Sequence, residues 1–199
     1  MTYFYGISEE EFSEAEKYIN YYVQGAFPMD NGDGVNWYEP VNRAIIYLDR
    51  FNFPRSLRKF LEKSSFEIRL DTCTLDVIDN CSNREETWIS EGVKDIYRKL
   101  MKVKVVHSVE VFQEGKLVGG LYGLAIMGMF IGESMFSSVP QASKAALVYL
   151  VDHLKCKDYA FLDVQLMTEH LRMFGAVEID DEEYDRLLNI ALSKNNLFI

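Results

Sequence analysis

Two polar residues stand two apart in an apolar segment late in the chain, Asp163 and Gln165 in YAFLDVQL. The alternation predicts a short strand with Phe161, Asp163 and Gln165 on one side and Leu162 and Val164 on the other. A carboxylate and an amide on one face of a buried strand are costly unless hydrogen-bonded, so such a pair either braces neighbouring backbone or faces a site. A second feature is cationic. After Pro54, RSLRKFLEKSSF carries Arg55, Lys59 and Lys63 at four-residue steps, one exposed face of a helix whose Leu57, Phe60 and Leu61 point inward. Such a stripe is commonly a solvated face. In a chain of formal net charge -10 it is also a candidate for binding phosphate. Arg98, Lys99, Lys102 and Lys104 form another basic cluster, which either joins the first or complements a helix C-terminus.

The element that must position these groups is the stretch from His107 to Ser143, a β-meander running into a helix. Val109 and Val111 belong to its first strand, Glu114-Gly115 turns the chain, and Lys116-Leu117-Val118 starts the next. Gly119, Gly120, Gly123, Gly128 and Gly132 then interrupt an apolar run, marking places where the backbone bulges or lies close to another group. From Lys116 to Glu133 the run falls short of the ~20 apolar residues of a membrane-spanning helix, and its glycines are poor helix formers, so a buried sheet is expected. Ser138 with Gln141 predicts a capping box ahead of ASKAALVYLVDHL. Ala146, Leu150 and Leu154 form one stripe of that helix with Leu147 beside it, a pattern that core packing explains without any function.

Elsewhere, Ser8 and Glu11 predict a capping box for a first helix that stops at Gly25. DNGDG at residues 30–34 reads as a surface turn, since it lacks the remaining ligands of a calcium loop. Strands are expected over residues 43–49 and 66–70, helices over 75–81, 88–100, around His170 and over 181–192, with a stop at Gly175. With 199 residues, 48% of them hydrophobic, the chain can bury one core or one domain with a satellite. The acidic balance argues against a general nucleic-acid coat protein. Cys73, Cys81 and Cys156 form neither a disulfide framework nor a zinc pattern, which fits a reducing cytoplasm, and no metal site is expected. MTYFYGISEEEF lacks the pattern of a secretory signal.

Several segments, in collinear order from about Tyr22 to Ile179, resemble the leucyl/phenylalanyl-tRNA-protein transferase family: HSVEV, LVGGLYG, GESMFS, ASK, and LDVQ followed by HL and GA. GAFP at residues 25–28, WYEP with Arg43, and REETWI at 84–89 add to the resemblance. The resemblance implies an α+β fold, a GNAT-like mixed sheet flanked by helices over residues 43–199, with a small, reduced N-terminal domain over 1–42. It implies transfer of leucine or phenylalanine, and of methionine as a further donor, from aminoacyl-tRNA to the α-amine of an N-terminal Arg or Lys, marking the acceptor protein for degradation in the N-degron pathway. The enzyme would be a cytoplasmic monomer with no cofactor and no membrane partner. The matching positions put Asp163, Gln165 and Glu133 at the catalytic centre. Leu121, Phe130, Met135 and Leu147, together with Leu150, Leu154 and Leu162, would form the pocket for the transferred side chain. Trp88 would lie near the terminal adenosine, and Arg55, Lys59 and Lys63 would hold the acceptor stem. Met29 stands where the family has a tryptophan and Glu39 where it has a serine.

Two other functions compete. An acyl-CoA-dependent N-acetyltransferase would share the topology, but its pyrophosphate loop is not found at the strand-to-helix junction, which reads SSVPQAS. A non-catalytic binder of basic N-termini would use Glu133 and Asp163 alone.

Overall fold

The computed structural model describes residues 7–199; residues 1–6, the beginning of the segment read for a secretory signal, lie outside the described residues. In chain order the elements are α1 (Glu9–Val23), β1 (Phe27–Asp30), β2 (Val35–Tyr38), β3 (Arg43–Ile46), α2 (Arg55–Leu61), β4 (Glu67–Leu70), α3 (Thr74–Ser82) and α4 (Glu91–Lys102). They continue with β5 (Val106–Gln113), β6 (Lys116–Ile126), β7 (Met129–Ser137), α5 (Ala142–Cys156), β8 (Phe161–Gln165), α6 (Glu169–Met173), β9 (Val177–Ile179) and α7 (Asp181–Leu192). The chain divides into two compact units, one of Met1–Pro40 with Ser82–Val106 and one of Val41–Cys81 with His107–Ile199. The expected division at residue 42 left the segment 82–106 with the larger unit; its contacts group it with the smaller one.

In the smaller unit the Ser8–Glu11 capping box closes in both directions and starts α1. Trp37 of β2 packs against Tyr18, Tyr21 and Tyr22 of that helix. Asp30 accepts hydrogen bonds from the amides of Gly32 and Gly34, so DNGDG is the turn of the β1–β2 hairpin. Helix α4 begins at Glu91, not at Trp88, with the Ser90 side chain accepting from the Val93 amide as its cap. Lys99 pairs with Glu14 and Lys102 with Glu11, while Arg98 pairs with Asp95 and Glu91. Those three cations of the second basic cluster are thus engaged in ion pairs within this unit.

The larger unit is built on a seven-stranded mixed sheet in the order β4-β5-β6-β7-β8-β3-β9. Strands β5 to β7 form the expected meander, turned between β5 and β6 by Glu114 and Gly115, both at positive φ, and β4 pairs on its outer edge. Helix α5 then carries the chain across to β8, which runs parallel to β7. Two glycines permit this packing. A methyl group on Gly119 would lie 2.5 Å from Cβ of Ala142, the first residue of α5, and one on Gly123 would collide with the Ile131 carbonyl where the β6–β7 register shifts. The capping box expected from Ser138 and Gln141 does not form: the Ser138 hydroxyl donates to the Val118 carbonyl, and the Ser137 hydroxyl instead accepts from the Ser143 amide. Phe60, expected inward, is 41% exposed and tilts against Phe66, because α2 ends one residue later and leaves only Leu57 fully covered. No helix among the described residues is long and apolar enough to cross a membrane.

Candidate active site

On one face of the sheet the strands and α5 enclose a small cavity of about 80 Å³. Leu121 and Tyr122 of β6, Gly132 to Met135 of β7, and Leu162 and Val164 of β8 form its floor and side. Leu147 and Leu150 of α5 and Leu171 of α6 complete it. An engineered apolar cavity of ~150 Å³ takes up benzene, so this space suits an aliphatic group of about three to four carbons. Of the residues expected in the pocket, Leu121, Met135, Leu147, Leu150 and Leu162 line it. Phe130 and Leu154 are fully buried in the same apolar core without lining the cavity; Phe130 packs against Phe198 with ring centroids 5.3 Å apart. Glu133 is the one carboxylate in the lining.

Strand alternation that brings Leu162 and Val164 to the cavity sends Asp163 to the opposite face. There it is completely buried. Arg43, from the neighbouring β3, donates to both of its oxygens, through Nε at 3.0 and 3.2 Å and through Nη2 at 2.6 Å. Tyr184 of α7 donates its hydroxyl to Oδ2 at 2.9 Å, and the Gln165 amide donates to Oδ1 at 2.8 Å. Burial alone would lower the Arg43 pKa, but the charges of Asp163, Tyr184 and Glu133 raise it above the usual value, so the guanidinium stays charged. Burial and the Asp163 charge push the Tyr184 phenol well up, keeping it a hydrogen-bond donor. Its ring also lies under the guanidinium, 4.8 Å from Arg43 Cζ.

The pairing of β3 with β8 slips by one residue beside this cluster: Ile45 faces Asp163 but Ala44 faces Gln165, so Val164 is the extra residue of a bulge. Bulges re-aim side chains next to active sites. Gln165 ends the strand in the left-handed region, at φ 62°. That conformation costs a non-glycine residue about 1–2 kcal/mol, and a hydrogen bond to a charged acceptor, worth about 1.5–3 kcal/mol, offsets it. Asp163 therefore acts on Gln165 through the main chain. The side chain of Gln165 is 6% exposed for the residue as a whole, and its Nε2 has no hydrogen-bond partner among the described residues. Neither Asp163 nor Gln165 lines the cavity.

The sequence fits one family along most of its length. A family model described as "Leucyl/phenylalanyl-tRNA protein transferase" matches residues 45–189. A protein of Herpetosiphon aurantiacus named leucyl/phenylalanyl-tRNA–protein transferase is 47% identical over 178 residues, 89% of this chain and 93% of that protein. The chain belongs to the leucyl/phenylalanyl-tRNA-protein transferase family. A second relative so named, from Chlorobaculum tepidum, is 43% identical over 192 residues, 94% of this chain and 99% of its own. Among solved structures, L-PGS from Bacillus licheniformis aligns over 79% of this chain and 55% of its own with a TM-score of 0.44 and 16% identity, too remote to carry an argument.

The remaining residues suggested by the family resemblance are not among those that line the cavity. Arg55 and Lys59 are exposed on α2, and Lys63 is exposed in the turn that follows it. Trp88 belongs to the smaller unit, half buried in the loop before α4, where its carbonyl accepts from the Asp30 amide. Residues that sequence reasoning missed are Tyr184, the pairing of Arg43 with Asp163, and the cavity residues Tyr122, Ser134, Val164 and Leu171. The signal for Tyr184 was present in the spacing of Tyr184, Leu187 and Ala191, which form the buried stripe of α7.

Proposed function

We propose that this aminoacyltransferase moves leucine or phenylalanine, and methionine as a further donor, from aminoacyl-tRNA to the α-amine of an N-terminal Arg or Lys of acceptor proteins, marking them for degradation. The observation that carries this reading is the apolar cavity, of a size for an aliphatic side chain, with Glu133 in its wall. An ester of tRNA is already activated, and an α-amine with a pKa of ~7.7–8.0 keeps an appreciable neutral fraction at pH 7. The amine nitrogen bonds to the ester carbonyl carbon, the bond to the ribose oxygen breaks, and that oxygen leaves with the proton the amine gives up. Positioning can supply much of the rate for such a step, which suits a site that offers an amide and carboxylates rather than His or Cys.

In this reading Gln165 orients the amine or the carbonyl, Asp163 holds Gln165 in place, and Glu133 attracts the cationic acceptor. The cavity takes a leucine side chain as it stands and must widen for phenylalanine, and the exposed Arg55, Lys59 and Lys63 take acceptor-stem phosphates, with Trp88 near the terminal adenosine. The fold is read as GNAT-like from the antiparallel meander, the α5 crossover and the parallel β8. The smaller unit is read as a reduced form of the family's N-terminal domain. Because the cavity and the polar cluster both arise within one unit of one chain, a monomer suffices. Three free cysteines support a cytoplasmic setting. The test uses labelled Phe-tRNA or Leu-tRNA and a peptide beginning with Arg. Label reaching the peptide is expected, and no transfer under conditions where a relative succeeds would refute the proposal.

A further inference from the structure

We propose that Tyr184 is a positioning residue for aminoacyl transfer, its hydroxyl fixing the Asp163 carboxylate so that Oδ1 stays aimed at the Gln165 amide. The inference rests on the reading that Gln165 serves the reaction, and extends it to a helix outside the cavity wall. Three observations support it. First, the two oxygens of Asp163 are used differently: Oδ2 takes Tyr184 at 2.9 Å and the shortest Arg43 bond at 2.6 Å, whereas Oδ1 takes the Gln165 amide at 2.8 Å. Arg43 Nε is shared between the two oxygens at 3.0 and 3.2 Å, so the arginine alone does not distinguish them by that contact. The phenol adds a donor to Oδ2 from a different element and leaves Oδ1 to the Gln165 main-chain amide.

Second, Tyr184 is itself fixed. It is 7% exposed, its ring meets Phe161 edge-on at 6.0 Å, and the Arg43 guanidinium lies over its face. It sits in the first turns of α7, where the Asp180 side chain accepts from the Glu183 amide and sets the start of the helix. Third, the group at the end of this chain of contacts is under strain: Gln165 is a non-glycine residue in the left-handed region at a strand bulge, with a buried amide nitrogen awaiting a partner. Holding that conformation needs Oδ1 in one place.

The experiment is Tyr184→Phe, which keeps the ring and deletes one oxygen, compared with Gln165→Ala and the double variant. Turnover of Leu-tRNA with an Arg-initiated peptide is normalised to the folded fraction from circular dichroism. The expected result for Tyr184→Phe is a kcat about tenfold lower with the KM for aminoacyl-tRNA within about twofold, the size expected for losing one hydrogen bond to a charged group. In the Gln165→Ala background the same substitution should cost nothing further, because its effect passes through Gln165. Wild-type kcat in Tyr184→Phe beside an impaired Gln165→Ala would overturn the role of Tyr184 and leave that of Gln165 standing. Losses that multiply in the double variant would also overturn it, since Tyr184 would then act by another route. Full activity in Gln165→Ala would remove the reading on which both depend.

Discussion

Arg43 Nη2 lies 2.6 Å from Asp163 Oδ2, and the two side chains are 4% and 0% exposed. The pair ties two adjacent strands together through 120 residues of sequence, in the layer where Gln165 leaves the strand. Removing one member of a buried ion pair strands the other charge, so Arg43→Ala should destabilise the protein by about 3–5 kcal/mol. Urea unfolding will measure this. A loss below about 1 kcal/mol would mean that water reaches the vacated site. Arg43→Lys should recover charge but not the fork, and turnover should stay low.

The cavity predicts donor preference. Met135 is half buried in the cavity wall and is the lining residue whose truncation should disturb folding least. Met135→Ala should enlarge the space and raise the kcat/KM of Phe-tRNA relative to Leu-tRNA by about tenfold, within the ~1–3 kcal/mol that an apolar pocket can discriminate. An unchanged ratio would place the donor side chain elsewhere.

The stripe on α2 predicts a salt effect. Arg55, Lys59 and Lys63 are exposed and engage in no ion pair among the described residues. If each meets a phosphate, replacing each by Ala should reduce the slope of log affinity for aminoacyl-tRNA against log salt by about 1. The kcat at saturating tRNA should hold. Identical slopes in the triple variant and the parent would assign the stripe to solvent.

Acid should loosen the smaller unit. Hydrogen bonds from Lys102 and Ser8 pull the Glu11 pKa from 4.5 down to about 2, and Lys99 and Tyr18 lower that of Glu14. A carboxylate whose pKa is lower folded than unfolded stabilises the fold above its unfolded value, and that contribution disappears as pH falls from 4.5 towards 2. The near-ultraviolet dichroism of Trp37, which packs on Tyr18 and Tyr21 of α1, should fade over that range. Glu11→Gln should remove the Glu11 part of this pH dependence, and a variant titrating like the parent would exclude that ion pair as its source.

What could be read from the sequence was the periodic and the local. Helix α7 spans Asp181–Leu192 as its pattern predicts, the Ser8–Glu11 box forms, and Glu114-Gly115 turns the hairpin. The short strands β1, β2 and β9 lie among turn residues and carry no pattern of their own, whereas β3 and β4, equally short, belong to longer apolar runs and were expected. The partners of local signals were also hidden. Ser138 looks like a cap but bonds to Val118, twenty residues away, and Lys99 and Lys102 look like a tRNA surface until Glu14 and Glu11 pack beside them. Asp163 illustrates the same limit: alternation put it on one face with Gln165, but only the register of β3 and the return of α7 reveal Arg43 and Tyr184 as its neighbours.

The route of the chain also bears on its synthesis. The smaller unit takes residues from before Pro40 and from Ser82–Val106, with much of the larger unit's first part in between. On a ribosome, α1 and the β1–β2 hairpin therefore emerge without α4, and the aromatic nest around Trp37 must wait unaccompanied for some sixty residues more before its ion-paired partner arrives. For the same reason no single cut would free either unit intact.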